Sequence, residues 1–93
     1  MKGLAAAVLE SLAASEIAGC ADWLRADIAA TLRDADESLV DRLVDGSALH
    51  ATRRIAEMEA ATELLRDLGV EPHVAQAATE VLRGLPPASH SAG

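Results

Sequence analysis

The sequence predicts an all-α fold, and two observations lead to that conclusion. Alanine and leucine account for 21 and 13 of the 93 residues, against no Phe, no Tyr and one Trp. Apolar residues recur at helical spacing, and no stretch alternates as a half-buried strand does. Because alanine favours helices but adds little buried area, such a chain is only marginally stable alone. We expect a small bundle of about five helices around an apolar first helix, with a surface for a partner.

The first predicted helix spans residues 4–18 and is almost entirely apolar. It ends at Gly19, a residue that readily adopts the left-handed conformation of a helix stop. The polar residues within it are Glu10, Ser11, Ser15 and Glu16, which leave no wide polar face. We therefore expect this helix at the centre of the bundle, covered by the other helices or by further parts of the protein.

Two shorter helices are predicted next. Asp22 is the expected N-cap of a helix that reaches about residue 32, with Trp23 and Ile28 in its apolar stripe. A polar link follows over residues 33–38. The next helix, about residues 37–44, is expected to stop at Asp45 and Gly46.

The fourth predicted helix is the longest, with Ser47 as its N-cap and Gly69 as its stop. Pro72 then opens a last helix over residues 73–83. We expect residues 1–85 to form the helical domain and residues 86–93 to be a disordered tail rich in Pro and Ser. The apolar face of the fourth helix is set by 4-3-4-3 spacing: Ala51, Ile55, Met58, Thr62 and Leu65.

Charge and cysteine content exclude several classes of function. A net charge of −7 argues against nucleic-acid binding. Cys20 is the single cysteine, which excludes an internal disulfide and fits a cytoplasmic protein, and we expect its thiol to be buried. Glu10 interrupts the first apolar run, so neither a signal peptide nor a membrane span is expected. No zinc signature or other metal site is predicted from the spacing of Cys20, His50, His73 and His90.

The candidate binding site is a basic cluster at the start of the fourth helix. His50, Arg53 and Arg54 share one face, within the first turns, where each cation opposes the helix dipole by about 0.3–1 kcal/mol. Two guanidinium groups beside an imidazole suit a carboxylate or a phosphate. The alternative is an ordinary solvated surface in which Arg53 pairs with Glu57, four residues on. The residues alone leave both interpretations open.

Three motifs carry a resemblance to a known domain. They are Lys2-Gly3-Leu4-Ala5-Ala6-Ala7-Val8-Leu9-Glu10, His50-Ala51-x-Arg53-Arg54-x-x-Glu57-Met58-Glu59 and Leu68-Gly69-Val70-Glu71-Pro72. Together they resemble the C-terminal all-helical domain of NAD(P)-dependent oxidoreductases similar to 6-phosphogluconate dehydrogenase and 3-hydroxyisobutyrate dehydrogenase. The resemblance covers about residues 2–84, and its most specific part is the run Arg-Arg-x-x-Glu-Met-Glu.

The resemblance implies that a Rossmann domain precedes the helical domain and holds NAD or NADP, so that this chain alone binds no cofactor. It places the catalytic lysine of the family about two turns before Lys2, which leaves Lys2 a weak catalytic candidate. It also places His50, Arg53 and Arg54 near the substrate or a subunit contact.

Two functions from different classes follow as expectations. The first is the substrate-side and dimerisation domain of a hydroxyacid-type oxidoreductase, inactive alone, whose partner is a second copy or the missing Rossmann domain. The second is a stand-alone helical self-association module, in which Arg53 and Arg54 form intermolecular salt bridges. A small regulatory protein that binds anions through the basic cluster is a third possibility.

Overall fold

The computed structural model describes residues 1–86, which form five α-helices and no strand. The predicted all-α bundle is therefore confirmed. None of the helices in this part of the chain combines the length and the apolarity that crossing a membrane requires. Apart from Pro86, the predicted tail lies outside the described residues. The helices are α1 Lys2–Ala18, α2 Ala21–Arg33, α3 Ser38–Leu49, α4 Ala51–Asp67 and α5 His73–Arg83.

The most extensive packing is between α4 and α5, while α1 lies against α2 and α5, and α3 lies against α4. Thr62 and Leu65 of α4 and Ala75 and Thr79 of α5 are buried. The Thr79 hydroxyl donates to the Ala75 carbonyl at 3.0 Å, and the Thr62 hydroxyl is satisfied in the same way within α4. The two threonines are thus buried without leaving a polar atom unpaired.

Burial of α1 is confined to its second half. Leu12, Ala14 and Ser15 are buried, whereas Leu4 and Leu9 remain 43% and 68% exposed. The expectation that other helices surround α1 is met only where α2 and α5 contact it. The apolar sequence of α1 therefore extends beyond the cover that residues 1–86 provide.

The two predicted glycine stops are confirmed. Gly19 and Gly69 have φ angles of 81° and 80°, in the left-handed region that favours glycine. In both cases the amide that follows the glycine donates to the carbonyl five residues earlier in the chain, at 2.8 Å. This bond satisfies a carbonyl that the end of a helix leaves free.

The predicted N-cap of α2 is wrong by two residues. Cys20 occupies the N-cap, and Asp22 lies in the first turn without a capping side-chain bond. The glycine stop of α1 already positions Cys20, so α2 begins directly after it. At α3 the Asp36 carboxylate accepts the Ser38 backbone N–H at 2.9 Å, a capping bond within what the sequence suggested was only a polar link.

The predicted stop at Asp45 and Gly46 and the predicted N-cap Ser47 are also wrong. Helix α3 continues to Leu49, so Ser47 lies inside α3, and α4 begins only at Ala51. A glycine in a helix costs about 1 kcal/mol relative to alanine, which does not by itself end the helix. The space beside Gly46 is occupied by the guanidinium group of Arg54, so an interhelical contact accompanies the missing side chain.

Candidate functional site

The corner between α3 and α4 is built on the backbone of His50. Its N–H donates to the Gly46 carbonyl at 2.9 Å, and its own carbonyl accepts the Arg54 N–H at 3.0 Å. His50 therefore caps the end of α3 and the start of α4 at once, and its imidazole is exposed. The corner brings the first turn of α4 beside the last turn of α3.

Arg54 is held across this corner. Its Nη1 donates to the Ser47 hydroxyl at 3.0 Å, and its Nη2 lies 3.0 Å from the place where a Cβ on residue 46 would stand. The side chain is half-buried, and within residues 1–86 it forms no ion pair. Arg54 is thus an oriented cation with most of its N–H donors unused.

Arg53 has a different environment. It is exposed, and its Nε lies 3.5 Å from Oε1 of Glu57, which is the four-residue pair that the sequence predicted. Both arginines line the same groove, whereas His50 does not. The structure therefore brings two of the three candidate residues together at one groove and distinguishes them, because only Arg53 is paired with an acid.

The groove runs along one side of the α4–α5 pair and has a volume of about 670 Å³. We call it the apolar groove. Ser47 of α3 and the Arg53–Glu57 pair contribute polar groups, together with Arg54. The rest of the lining is apolar: Met58, Val74, Ala77, Ala78, Val81 and Leu82.

The same two helices form a second, smaller groove of about 230 Å³, which we call the polar groove. Arg83 Nη2 of α5 donates to Glu59 Oε2 of α4 at 2.7 Å. Arg66 Nη2 of α4 donates to Gln76 Oε1 of α5 at 3.4 Å. Both cations of this groove therefore bind a partner within the chain.

A further contact joins α1 to the beginning of α5. The Glu10 carboxylate accepts the Val74 N–H at 2.6 Å and the Ala75 N–H at 2.9 Å. A negative charge on these amides satisfies two donors that the start of a helix leaves free and complements the helix dipole. The sequence interpretation missed this role. The available signal was an acid in a nearly apolar helix, which needs a partner if it is buried.

A comparison with protein-family models identifies the family of this chain. The family model described as "Domain of unknown function (DUF1932)" matches residues 15–85 of the chain. The chain belongs to this family. No curated protein and no solved structure matches it.

The DUF1932 match contains both grooves and the corner at His50, whereas Glu10 and Lys2 precede it. Lys2 is the first residue of α1, is exposed and does not line either groove.

Cys20 is exposed at the corner between α1 and α2, so the expectation of a buried thiol is wrong. In residues 1–86 no group of three or more His, Cys, Asp or Glu side chains could hold a metal ion. His90 lies outside those residues.

Proposed function

We propose that this DUF1932 domain is the substrate-side and dimerisation part of an NAD(P)-dependent hydroxyacid-type oxidoreductase, and that the chain alone is inactive. The observation that carries the proposal is the amount of apolar surface left uncovered. In residues 1–86 the buried hydrophobic residues are only Leu12, Ala14, Leu65 and Ala75. A chain with so small a core needs cover from another domain or another copy.

The exposed residues include types that commonly anchor interfaces. Trp23, the single aromatic residue, is 68% exposed on α2, and Leu9 is 68% exposed on α1. Tryptophan is enriched among the residues that contribute most to binding at protein interfaces. We infer that a Rossmann domain, a second copy or both cover these positions.

The oxidoreductase part of the proposal is supported by the sequence motifs and by the basic cluster. Arg54 presents unused N–H donors, which suits a substrate carboxylate because a guanidinium binds it with two parallel hydrogen bonds. His50 and Arg53 flank it along the chain. NAD or NADP, held by the Rossmann domain, would supply the hydride acceptor, and this chain would orient the acid.

Activity assays test the claim of inactivity. The purified chain is expected to oxidise no hydroxy acid when NAD or NADP is added. Within the larger enzyme, Arg54→Gln is expected to raise KM for the hydroxy acid by about tenfold or more, because a hydrogen bond to a charged group contributes about 1.5–3 kcal/mol. Arg83→Gln, in the polar groove, is the matched control and should leave KM unchanged. Turnover by the chain alone would contradict the proposal.

The alternative function, a self-association module without catalysis, is favoured by one feature of α3. Val40, Leu43 and Val44 are 63%, 53% and 62% exposed. Their spacing places them on one face of α3, where they form an apolar stripe. Such a stripe could pack against a second copy.

The coding DNA upstream of Met1 separates the two functions. A strand, a glycine-rich turn and a helix in frame would support the oxidoreductase, and their absence would support the module. Sedimentation of Val44→Lys then tests the stripe. Loss of association would place the interface on α3, and unchanged association would exclude this stripe as the interface.

A further inference from the structure

We propose that the apolar groove binds a monocarboxylate with a long apolar body, of the class of medium-chain fatty acids. The carboxylate would pair with Arg54, and the hydrocarbon chain would lie between α4 and α5. The inference goes beyond the proposed function, because it concerns what this chain binds by itself and requires neither a cofactor nor a hydroxyl group on the ligand.

The charges in the groove single out Arg54 as the residue that binds the carboxylate. Arg53 is compensated by Glu57, whereas Arg54 has only the Ser47 hydroxyl as a side-chain partner. That hydroxyl holds the guanidinium without neutralising it, and the guanidinium occupies the space where a side chain on residue 46 would stand. Preorganisation of this kind lowers the entropic cost of binding an anion. The remaining N–H donors are available for two parallel hydrogen bonds to one carboxylate.

The size and lining of the groove indicate the rest of the ligand. Its volume of about 670 Å³ falls within the range of about 300–1,000 Å³ that is typical of small-molecule sites. A short hydroxy acid would occupy only a small part of this space. Beyond Ser47, the two arginines and Glu57, the lining consists of alkyl and thioether side chains, among them Met58, Val81 and Leu82. An extended hydrocarbon chain suits such a lining, since each buried methylene strengthens binding about fourfold.

The net charge of the chain restricts the ligand to a molecule that has both a carboxylate and an apolar body. At −7 the molecule as a whole repels anions, so a carboxylate gains little from the overall field. Binding must therefore come from the local contact with Arg54 and from burial of the apolar body. Neither a short acid nor a long alcohol offers both.

Calorimetric titration of the full chain tests the inference, with decanoate below its micelle concentration as the probe. Decanoate is expected to bind once per chain, and butyrate and decanol much more weakly. Arg54→Gln should lower decanoate affinity by about tenfold or more, because one charge-assisted hydrogen bond contributes about 1.5–3 kcal/mol. Arg83→Gln should leave it unchanged, and Arg53→Gln should have a smaller effect than Arg54→Gln.

Three results would overturn the inference. Decanol could bind as well as decanoate, which would show that the carboxylate has no part. Arg54→Gln could bind decanoate as the wild type does. Sedimentation could show a dimer that does not bind decanoate and is not dissociated by it. That result would mean that a second copy fills the groove. The proposed function is tested separately by turnover of hydroxy acids in the larger enzyme, so its failure and the failure of this inference can be distinguished.

Discussion

The two grooves of the α4–α5 pair differ in how their charged groups are satisfied. In the polar groove, Arg83 and Arg66 bind Glu59 and Gln76 across the two helices. In the apolar groove, Arg54 binds only a hydroxyl, and hydrocarbon side chains face solvent. The polar groove is therefore complete within the chain. The apolar groove has a cation and an apolar lining that another molecule could satisfy, which is why both functional proposals place binding there.

The difference arises because each groove is lined by a different face of α4 and of α5. Both grooves draw on the same α4 and α5, so helix propensity and overall packing are shared between them. The two grooves differ in which residues the helical periodicity places on each side of the pair. The α5 residues of the apolar groove are Val74, Ala77, Ala78, Val81 and Leu82, and those of the polar groove are Gln76, Thr79, Glu80 and Arg83.

The largest expected effect comes from breaking the scaffold that both grooves share. Leu65 is 8% exposed in α4, and Leu65→Ala should lower the free energy of unfolding by about 2–5 kcal/mol through lost burial and a residual cavity. Leu64→Ala is the matched control, because Leu64 is its neighbour but is 57% exposed. Urea unfolding followed by circular dichroism measures both. Equal losses in the two variants would show that Leu65 does not belong to the core.

The sequence predicted those features of the scaffold that depend on local geometry. The limits of α5 and the left-handed stops at Gly19 and Gly69 follow from spacing and from the φ angles that glycine allows. The Arg53–Glu57 pair follows from helical periodicity in the same way.

Features that depend on contacts between helices could not be predicted. Gly46 was predicted to end a helix because the sequence does not show that Arg54, which belongs to the next helix, lies beside it. Glu10 read as a polar interruption because the Val74 amide it binds lies 64 residues later in the chain. The unpaired state of Arg54 likewise depends on the corner at His50. The sequence placed both arginines at the start of the fourth predicted helix, but the distinction between them required the fold.

The second prediction concerns the start of α5, which supplies Val74 to the apolar groove. Glu10→Ala leaves the Val74 and Ala75 N–H groups without their acceptor and should lower the free energy of unfolding by about 1–3 kcal/mol. Glu10→Gln should lower it less, because the amide oxygen can still accept one hydrogen bond. Glu16→Gln, at an exposed position of the same helix, serves as the control in thermal unfolding. If Glu10→Ala leaves the free energy of unfolding unchanged, solvent satisfies these amides equally well.

The third prediction separates stability from binding at the apolar groove. Gly46→Ala should stabilise α3 by about 0.5–1 kcal/mol, because alanine replaces glycine inside a helix. The new Cβ would stand 3.0 Å from Arg54 Nη2, so the guanidinium must shift by a few tenths of an ångström from its position beside the Ser47 hydroxyl. Decanoate affinity should therefore fall while the melting temperature rises.

Gly3→Ala is the control for that substitution, since nothing lies within 4 Å of a Cβ at residue 3. It should leave decanoate affinity unchanged. If Gly46→Ala binds decanoate as the wild type does, the contact with Gly46 does not orient Arg54. The polar groove provides the internal comparison, because α3 contributes no residue to it.

The smallest expected effect lies at the other end of α3 and depends on pH. Hydrogen bonds from the Ser38 hydroxyl and the Ser38 backbone N–H lower the pKa of Asp36 below its ordinary value of 3.8. A lowered pKa in the folded state means that the carboxylate stabilises the fold above pH 3.8 and loses this contribution as the pH falls through the lower folded value. Asp36→Ala should thus be less stable than the wild type at neutral pH, and the difference should shrink in acid.

Asp36→Asn separates the cap from its charge. Asparagine accepts the same backbone hydrogen bond but does not titrate, so its stability relative to Asp36→Ala should stay nearly constant between neutral and acid pH. Thermal unfolding of the three proteins across this range measures both differences. A constant gap between wild type and Asp36→Ala down to the lowest pH would show that ionisation of Asp36 does not stabilise α3.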